Sequence, residues 1–494
     1  MRQTAALLGL LWGATAWGQA LGGTGGPSSA AAPAPAAAPL TAGTAAALAG
    51  PGGGASVTIP AGRVLPLELV VDRLANGLTV VVVPVAVPSL VAVQTWMAVG
   101  SRQEVVRGTT GYAHFFEHLM FHGSRELPGD KRAAMLLSLG VDENAWTSND
   151  RTCYHLQAPA DALAQLLWIE SDRFKNLELD NLGVRREAGA VLGEWRRAVS
   201  DPENAVDVAL YAAAFGQHGY NHPTIGLESD VLAMPDGLPT ALGFRQLWYR
   251  PEHTTLVIAG DVDPAATLDL ARATYESWVM PPVVAPPTPV EPIQVGQRTA
   301  GVIWTAGPAN PWLAMGWKIP AFAPDQLDGA AVRVLVELLA GDVSPLYRRV
   351  VEDEQLAWSM VAPDPRSVDP GLLTLRVELR DRASGDGVDA LVHAAVDAIV
   401  HPPDAAATDV LRRRVANVRE QLRHADVLEL GDPASWAATV GWFTSLRGDP
   451  LDFERHLAAL AAVELDDVQR FAATWLVDSG RTVVRLESVA GGAQ

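Results

Sequence analysis

Hydrophobic positions along the chain follow two rhythms, and the rhythms change in the same order twice. Val91, Val93, Thr95, Met97 and Val99 alternate with other residues as a half-buried strand should. Upstream, Asn76-Gly77 sits between strand-like segments and predicts a hairpin. A helix carrying His114 to His118 follows, then a strand near Trp146–Gln157, a helix near Ala160–Asn176 and a late strand at Thr255–Ile258. The second half opens with a strand at Trp312–Ile319, a helix at Leu327–Leu339 and a strand at Leu372–Leu379. Helical periods then run near Val388–Val400, Thr408–Arg423 and Leu465–Trp475, before a last strand at Thr482–Leu486. Strand, helix, strand and then helices, twice over, predict a duplicated α+β fold in which mainly antiparallel sheets pack with helices.

Proline and small residues mark the boundaries. Residues 281–297 carry a proline-rich run that excludes helix interior and central strand, so they read as a linker. Residues 21–58 are nearly all Ala, Gly, Pro, Ser and Thr, too poor in apolar surface to offset their ordering entropy, and read as a flexible tether. Before them, Arg2, the apolar stretch Ala5–Trp17 and the small-x-small ending Gly18-Gln19-Ala20 have the form of a secretion signal over residues 1–20. The expected organisation is therefore signal peptide, tether, an N-terminal unit at 59–280, the linker, and a C-terminal unit at 298–494. The place of action is then the periplasm or the exterior, with no membrane span once the signal is removed.

Composition narrows the functions. The 494 residues include 56 acidic and 37 basic side chains, a formal net charge of −19. Such a chain has no electrostatic footprint for nucleic acid. The single cysteine, Cys153, excludes an internal disulfide and a cysteine-built zinc site, and its apolar surroundings place it in the core.

The chemistry lies in Gly111-Tyr-Ala-His114-Phe-Phe-Glu117-His118-Leu-Met-Phe121. On a helix, His114 and His118 stand one turn apart on one face, suited to holding one metal ion. Glu117 borders that face and can reach a metal-bound water without being a ligand. Among apolar neighbours, two imidazoles and a carboxylate are costly unless a metal or a hydrogen-bond network satisfies them. Zinc suits the donor set, and H-x-x-E-H is the inverse of the commoner zinc motif. A third ligand must come from elsewhere. Glu187 and Glu194 lie on one face of a helical, mostly buried-looking stretch, about 10 Å apart along the axis, so only one can reach the same ion and the other can orient a ligand or the water. His122 continues the stripe by one more turn and reads as a rim residue.

With these residues in view, the chain resembles the pitrilysin family of inverted zincins, which includes the mitochondrial processing peptidase and the insulin-degrading enzymes. His114, Glu117 and His118 match its zinc motif, Glu194 its distal ligand and Glu187 its helper glutamate. Asn144-Ala145-Trp146-Thr147, followed by Asp150-Arg151-Thr152, resembles the edge strand on which the family lays the substrate backbone. His222-Pro223, Tyr249 to His253 and Ala259-Gly260-Asp261-Val262 match further landmarks. The resemblance implies duplicated metallohydrolase-type domains, one zinc ion held by His114, His118 and Glu194, Glu117 as general base, and Asn144 and Ala145 binding a peptide substrate. It also implies that the C-terminal domain has no zinc site, and that the chain acts as a dimer, either of itself or with a sibling subunit that lacks zinc. Where many active members carry an Arg and a Tyr that anchor the substrate, this chain has Val351 and Trp358. The alternatives are a non-catalytic member serving as scaffold or partner subunit, and a metal-dependent hydrolase of a non-peptide bond.

Overall fold

Valine-rich runs give the strands, because branched side chains pack well on a pleated surface. The computed structural model describes residues 57–59 and 68–488. The expected signal peptide and nearly all of the expected tether lie outside the described residues. In the first half the strands are β1 (Val57–Ile59), β2 (Leu69–Arg73), β3 (Thr79–Pro84), β4 (Leu90–Met97), β5 (Asp142–Thr147), β6 (Thr152–Pro159) and β7 (Thr254–Gly260). They form one sheet in the order β1-β2-β3-β7-β4-β6-β5, antiparallel except for the β3–β7 pair. In the second half β8 (Arg298–Trp304), β9 (Trp312–Ile319), β10 (Ala357–Val361), β11 (Gly371–Leu379) and β12 (Arg481–Ser488) form a sheet in the order β10-β11-β9-β12-β8, in which only β12 and β8 run parallel. The helices of each half cover one face of its own sheet, around the cores that include Val80, Val93, Phe115 and Leu166 in the first half and Leu313, Leu335, Val377 and Leu460 in the second.

The other face of each sheet is covered by a helix from the opposite half. Pro433–Arg447, late in the chain, lies on β4 and β7 of the first sheet, and Trp436, Ala437, Val440 and Phe443 pack against Val81, Ala92, Trp96 and Val257. In exchange, Pro202–Ala214 lies on β8, β9 and β12 of the second sheet, and Val206, Leu210 and Ala214 pack against Trp312, Ala314, Leu372 and Val484. The chain between β7 and β8 crosses over without helix or strand from residue 279 to 296.

Three expectations need correction. β4 is not half-buried: from Val91 to Met97 every residue is buried, because Pro433–Arg447 seals the face that a lone sheet would leave wet. The single strand expected near Trp146–Gln157 is a hairpin, β5 and β6, broken by a turn at Ser148–Arg151 in which the Ser148 N–H donates to the Arg151 carbonyl at 2.8 Å. The helix Asn181–Ala198 is amphipathic rather than mostly buried: Gly183, Val184, Ala188 and Val191 face inward, while Ala190 is exposed. Cys153 is in the core as expected.

The second half also grips the β5–β6 turn. Asp150 accepts a hydrogen bond from the Val368 N–H of the second half at 3.1 Å, beside one from the Tyr220 hydroxyl of its own half at 2.6 Å. The guanidinium groups of Arg151 and Arg366 both lie over the Trp442 ring, 4.5 and 4.4 Å from its centre. Gly441 shows how closely the exchanged helix docks, since a Cβ there would stand 2.1 Å from the Trp96 ring nitrogen. Trp96 is itself fully buried and has nowhere to move. Gly441→Ala is therefore expected to destabilise the protein by about 1–3 kcal/mol through overpacking, despite the better helix propensity of alanine. Equilibrium denaturation measures this, and an alanine variant as stable as the parent would contradict the packing described.

Candidate metal centre

The helix Tyr112–Leu119 packs on the core by one face and carries His114 and His118, both half-buried, on the other. Gly111 has φ = +85°, and a Cβ there would lie 2.6 Å from the Ile225 carbonyl oxygen, so only glycine serves. The buried Glu104 carboxylate accepts the N–H of Gly111 at 2.7 Å and that of Ala113 at 2.6 Å, satisfying donors that the helix itself leaves unpaired. Burial pushes the Glu104 carboxyl well up from its ordinary range, opposed by these two hydrogen bonds. Phe115, Phe116 and Leu119 fill the core, which turns His114 and His118 toward Asn181–Ala198. Asp180 caps that second helix by accepting from the Gly183 N–H at 2.6 Å.

Three donor atoms converge between the two helices. Glu194 Oε2 lies 3.5 Å from His114 Nε2 and 3.6 Å from His118 Nε2. Donors bonded tetrahedrally to one zinc ion at about 2.0–2.1 Å stand about 3.3 Å apart, so the spacing fits one ion with little adjustment. Among the described residues, His114, His118 and Glu194 are the one cluster of this kind, and none lies in the second half. Burial, helped by neighbouring His118, holds His114 down to about 4, so it is a neutral imidazole with a free lone pair. For His118 burial acts in the same sense, but the hydrogen bond and charge of Glu194, with the charges of Glu117 and Glu187, outweigh it and leave its pKa raised. Glu194 is held below the usual carboxylate range, chiefly by its hydrogen bond with His118.

The other expected residues fall around this cluster in distinct places. Burial pushes Glu117 up to about 7, against the hydrogen bond that Thr147 gives its Oε2 at 2.6 Å. Glu187 does not join the three donors. Its Oε2 stands 3.8 Å from the other ring nitrogen of His118, too far for a hydrogen bond but near enough for its charge to favour the protonated imidazole. His122 is outside the cluster: the helix ends at Leu119, a tight turn follows, and the His122 ring packs on Gly183 with Nε2 3.8 Å from Glu187 Oε1. Asn144 and Ala145 lie on β5, the free edge of the first sheet, and the Ala145 N–H donates to Asn144 Oδ1 at 2.9 Å. Val351 packs into the second core, and exposed Trp358 is covered by the Arg380 guanidinium 3.8 Å from its ring centre. The sequence reading missed Glu104, which lies in a loop without periodicity. It also missed Arg132, which is buried and binds Glu143 of β5 at 2.7 Å and Glu170 at 2.7 Å.

Two α+β units, one of them with an H-x-x-E-H helix facing a distal glutamate, define an inverted-zincin type of metallopeptidase architecture. Residues 80–227 match the insulinase-type peptidase M16 family, and residues 240–413 match the peptidase M16 inactive domain. The chain belongs to the M16 peptidase family. It is 32% identical over 291 residues to the zinc protease PqqE of Helicobacter pylori, an alignment covering 58% of this chain and 64% of that relative. Among solved structures, a protease from Helicobacter pylori superposes with a TM-score of 0.79 at 23% identity, covering 85% of this chain and 99% of the other. The first half of the periplasmic protease PqqL from Escherichia coli gives 0.66 at 20% identity, covering 87% and 93%. These last two likenesses establish the fold.

Glu104→Ala should lower stability by about 1–3 kcal/mol, because two buried N–H groups lose their acceptor at the start of the histidine helix. Chemical denaturation of the metal-free protein tests this, and an unchanged unfolding midpoint would remove Glu104 from the role of helix anchor.

Proposed function

We propose that the chain is a zinc-dependent endopeptidase that cleaves short, unstructured peptides, with His114, His118 and Glu194 as the metal ligands and Glu117 as general base. The convergence of two imidazole nitrogens and one carboxylate oxygen beside a separate buried carboxylate carries this reading. Zinc bound there supplies a Lewis acid for the peptide carbonyl and makes a water proton easier to remove. Glu117, pushed toward neutrality by burial, takes that proton and passes it to the leaving amine. Glu187 steadies His118. A peptide adds as a further strand along β5, where main-chain groups at Asn144 and Ala145 give affinity with little sequence preference.

The signal-like residues 1–20 favour action in the periplasm or outside the cell, in keeping with the related protein named as periplasmic. Among the described residues, no helix is long and apolar enough to cross a membrane. Val351 and Trp358 stand where the family's substrate-anchoring Arg and Tyr are expected in the second half, and Arg348 and Arg349 are out of register with those places. A tyrosine hydroxyl or guanidinium near the scissile carbonyl is worth a few kcal/mol, so we take the working form to be a dimer completed by a sibling subunit that carries the pair but no zinc.

Purified protein should hold about one zinc per chain, released by chelators and lost from His114→Ala, His118→Ala and Glu194→Gln but kept by His122→Ala. Elemental analysis decides this, and full zinc in Glu194→Gln with loss from His122→Ala would overturn the ligand set. Glu117→Gln should keep its zinc and lose about 10²–10⁴ in peptide-cleavage rate. A variant with half the parental rate would end the general-base assignment. Co-expression with the sibling should raise activity, whereas an isolated chain at full activity would favour a homodimer.

A further inference from the structure

β5 carries more than the substrate edge. Its Glu143, Ala145 and Thr147 project to the face that meets the histidine helix. Glu143 is tied to buried Arg132, Ala145 packs into the first core, and Thr147 reaches Glu117. The strand is thus pinned at both ends, and its last inward side chain touches the proposed base.

The hydroxyl protons in this corner have settled directions. Thr152, paired with Thr147 across β5 and β6, donates to the Val99 carbonyl oxygen at 3.0 Å, which can only accept. The Thr147 hydroxyl lies 3.3 Å from the Thr152 hydroxyl and 2.6 Å from Glu117 Oε2. With the Thr152 proton committed to Val99, the Thr147 proton can go to the Thr152 oxygen or to Glu117, and the carboxylate oxygen at 2.6 Å takes it over the hydroxyl oxygen at 3.3 Å. Both Thr147 and Glu117 are buried, so this bond is little diluted by solvent. Glu117 Oε2 therefore accepts the Thr147 hydrogen bond, while among the described residues no hydrogen bond reaches Oε1.

We propose that Thr147 is a positioning residue that locks the Glu117 carboxylate through Oε2, so that Oε1 acts as the base, and that it links the strand receiving the peptide to the group doing the proton transfer. This rests on Glu117 being the base. Peptide added along β5 stiffens the strand whose end holds Glu117, so binding and base alignment are joined through one hydroxyl. Asp150 and Arg151, just beyond Thr147, are held by Val368 and Trp442 of the second half, which keeps that end of the strand in place.

The test compares Thr147→Val, which keeps the shape without the hydroxyl, with Thr147→Ser, which keeps the hydroxyl. Each is measured for kcat and KM on an unstructured peptide, for zinc content, and for the melting temperature of the metal-free protein. Thr147→Val should lower kcat by on the order of tenfold or more, while KM stays within about twofold and zinc and melting temperature stay close to the parent's. Thr147→Ser should restore most of kcat. In the Glu117→Gln background, Thr147→Val should cost nothing further, because the group it positions is already gone. An unchanged kcat in Thr147→Val overturns the proposal, as does equal loss of zinc or melting temperature in both variants, which marks a purely structural residue. If Glu117→Gln is itself active, the general-base reading has failed. If Glu117→Gln is inactive and Thr147→Val is not, only the role of Thr147 has failed.

Discussion

Each sheet has two apolar faces, and the helices of its own half cover only one of them. This shortage shapes the rest of the molecule. The first sheet takes Pro433–Arg447 from the far end of the chain, and the second takes Pro202–Ala214 from the near end. An apolar face of this size left in water costs about 25 cal/mol for each Å² exposed, so neither half is complete without the other's helix. The exchange also welds the halves more firmly than a simple side-by-side contact. Trp96 and Gly441 meet at one such joint, and Leu210 meets Gly316 at the other.

The candidate metal centre lies over a sheet sealed on both faces. One face of β4 and β6 backs onto the exchanged helix, and the other supports the helix that carries His114 and His118. Support from below fixes where that helix lies, and Glu104 fixes where it begins. The histidines, Glu194 and Glu117 are thereby held near one another on a rigid support. The pull of burial on each group is unequal. It leaves His114 neutral, while neighbouring carboxylates keep His118 more basic.

How much of this could be read in the sequence follows from the range of each signal. His114, Glu117 and His118 are separated by one helical turn, so chemistry and period coincide in five residues. Glu194 needed the resemblance to a known family as well as the shared face with Glu187, because nothing local says which of the two reaches the metal. The turn at Ser148–Arg151 was legible in Ser-Asn-Asp but was hidden by reading one long strand. The burial of β4 was not legible at all, since the residues that cover it lie more than three hundred positions away. Glu104 escaped for a similar reason: an acidic residue in a loop looks solvated until the helix it caps is folded over it. Thr147 had a faint signal, as it shares the parity of Glu143 and Ala145 on β5.

The exchange of helices has a consequence in time. A ribosome delivers the first sheet long before it delivers Pro433–Arg447, so Val81, Ala92, Trp96 and Val257 are made early and covered late. Through most of synthesis the nascent first half carries a greasy, strand-rich surface, the kind of intermediate on which chains stick to one another. A polypeptide ordered in this way gains by staying unfolded until its last helices have emerged.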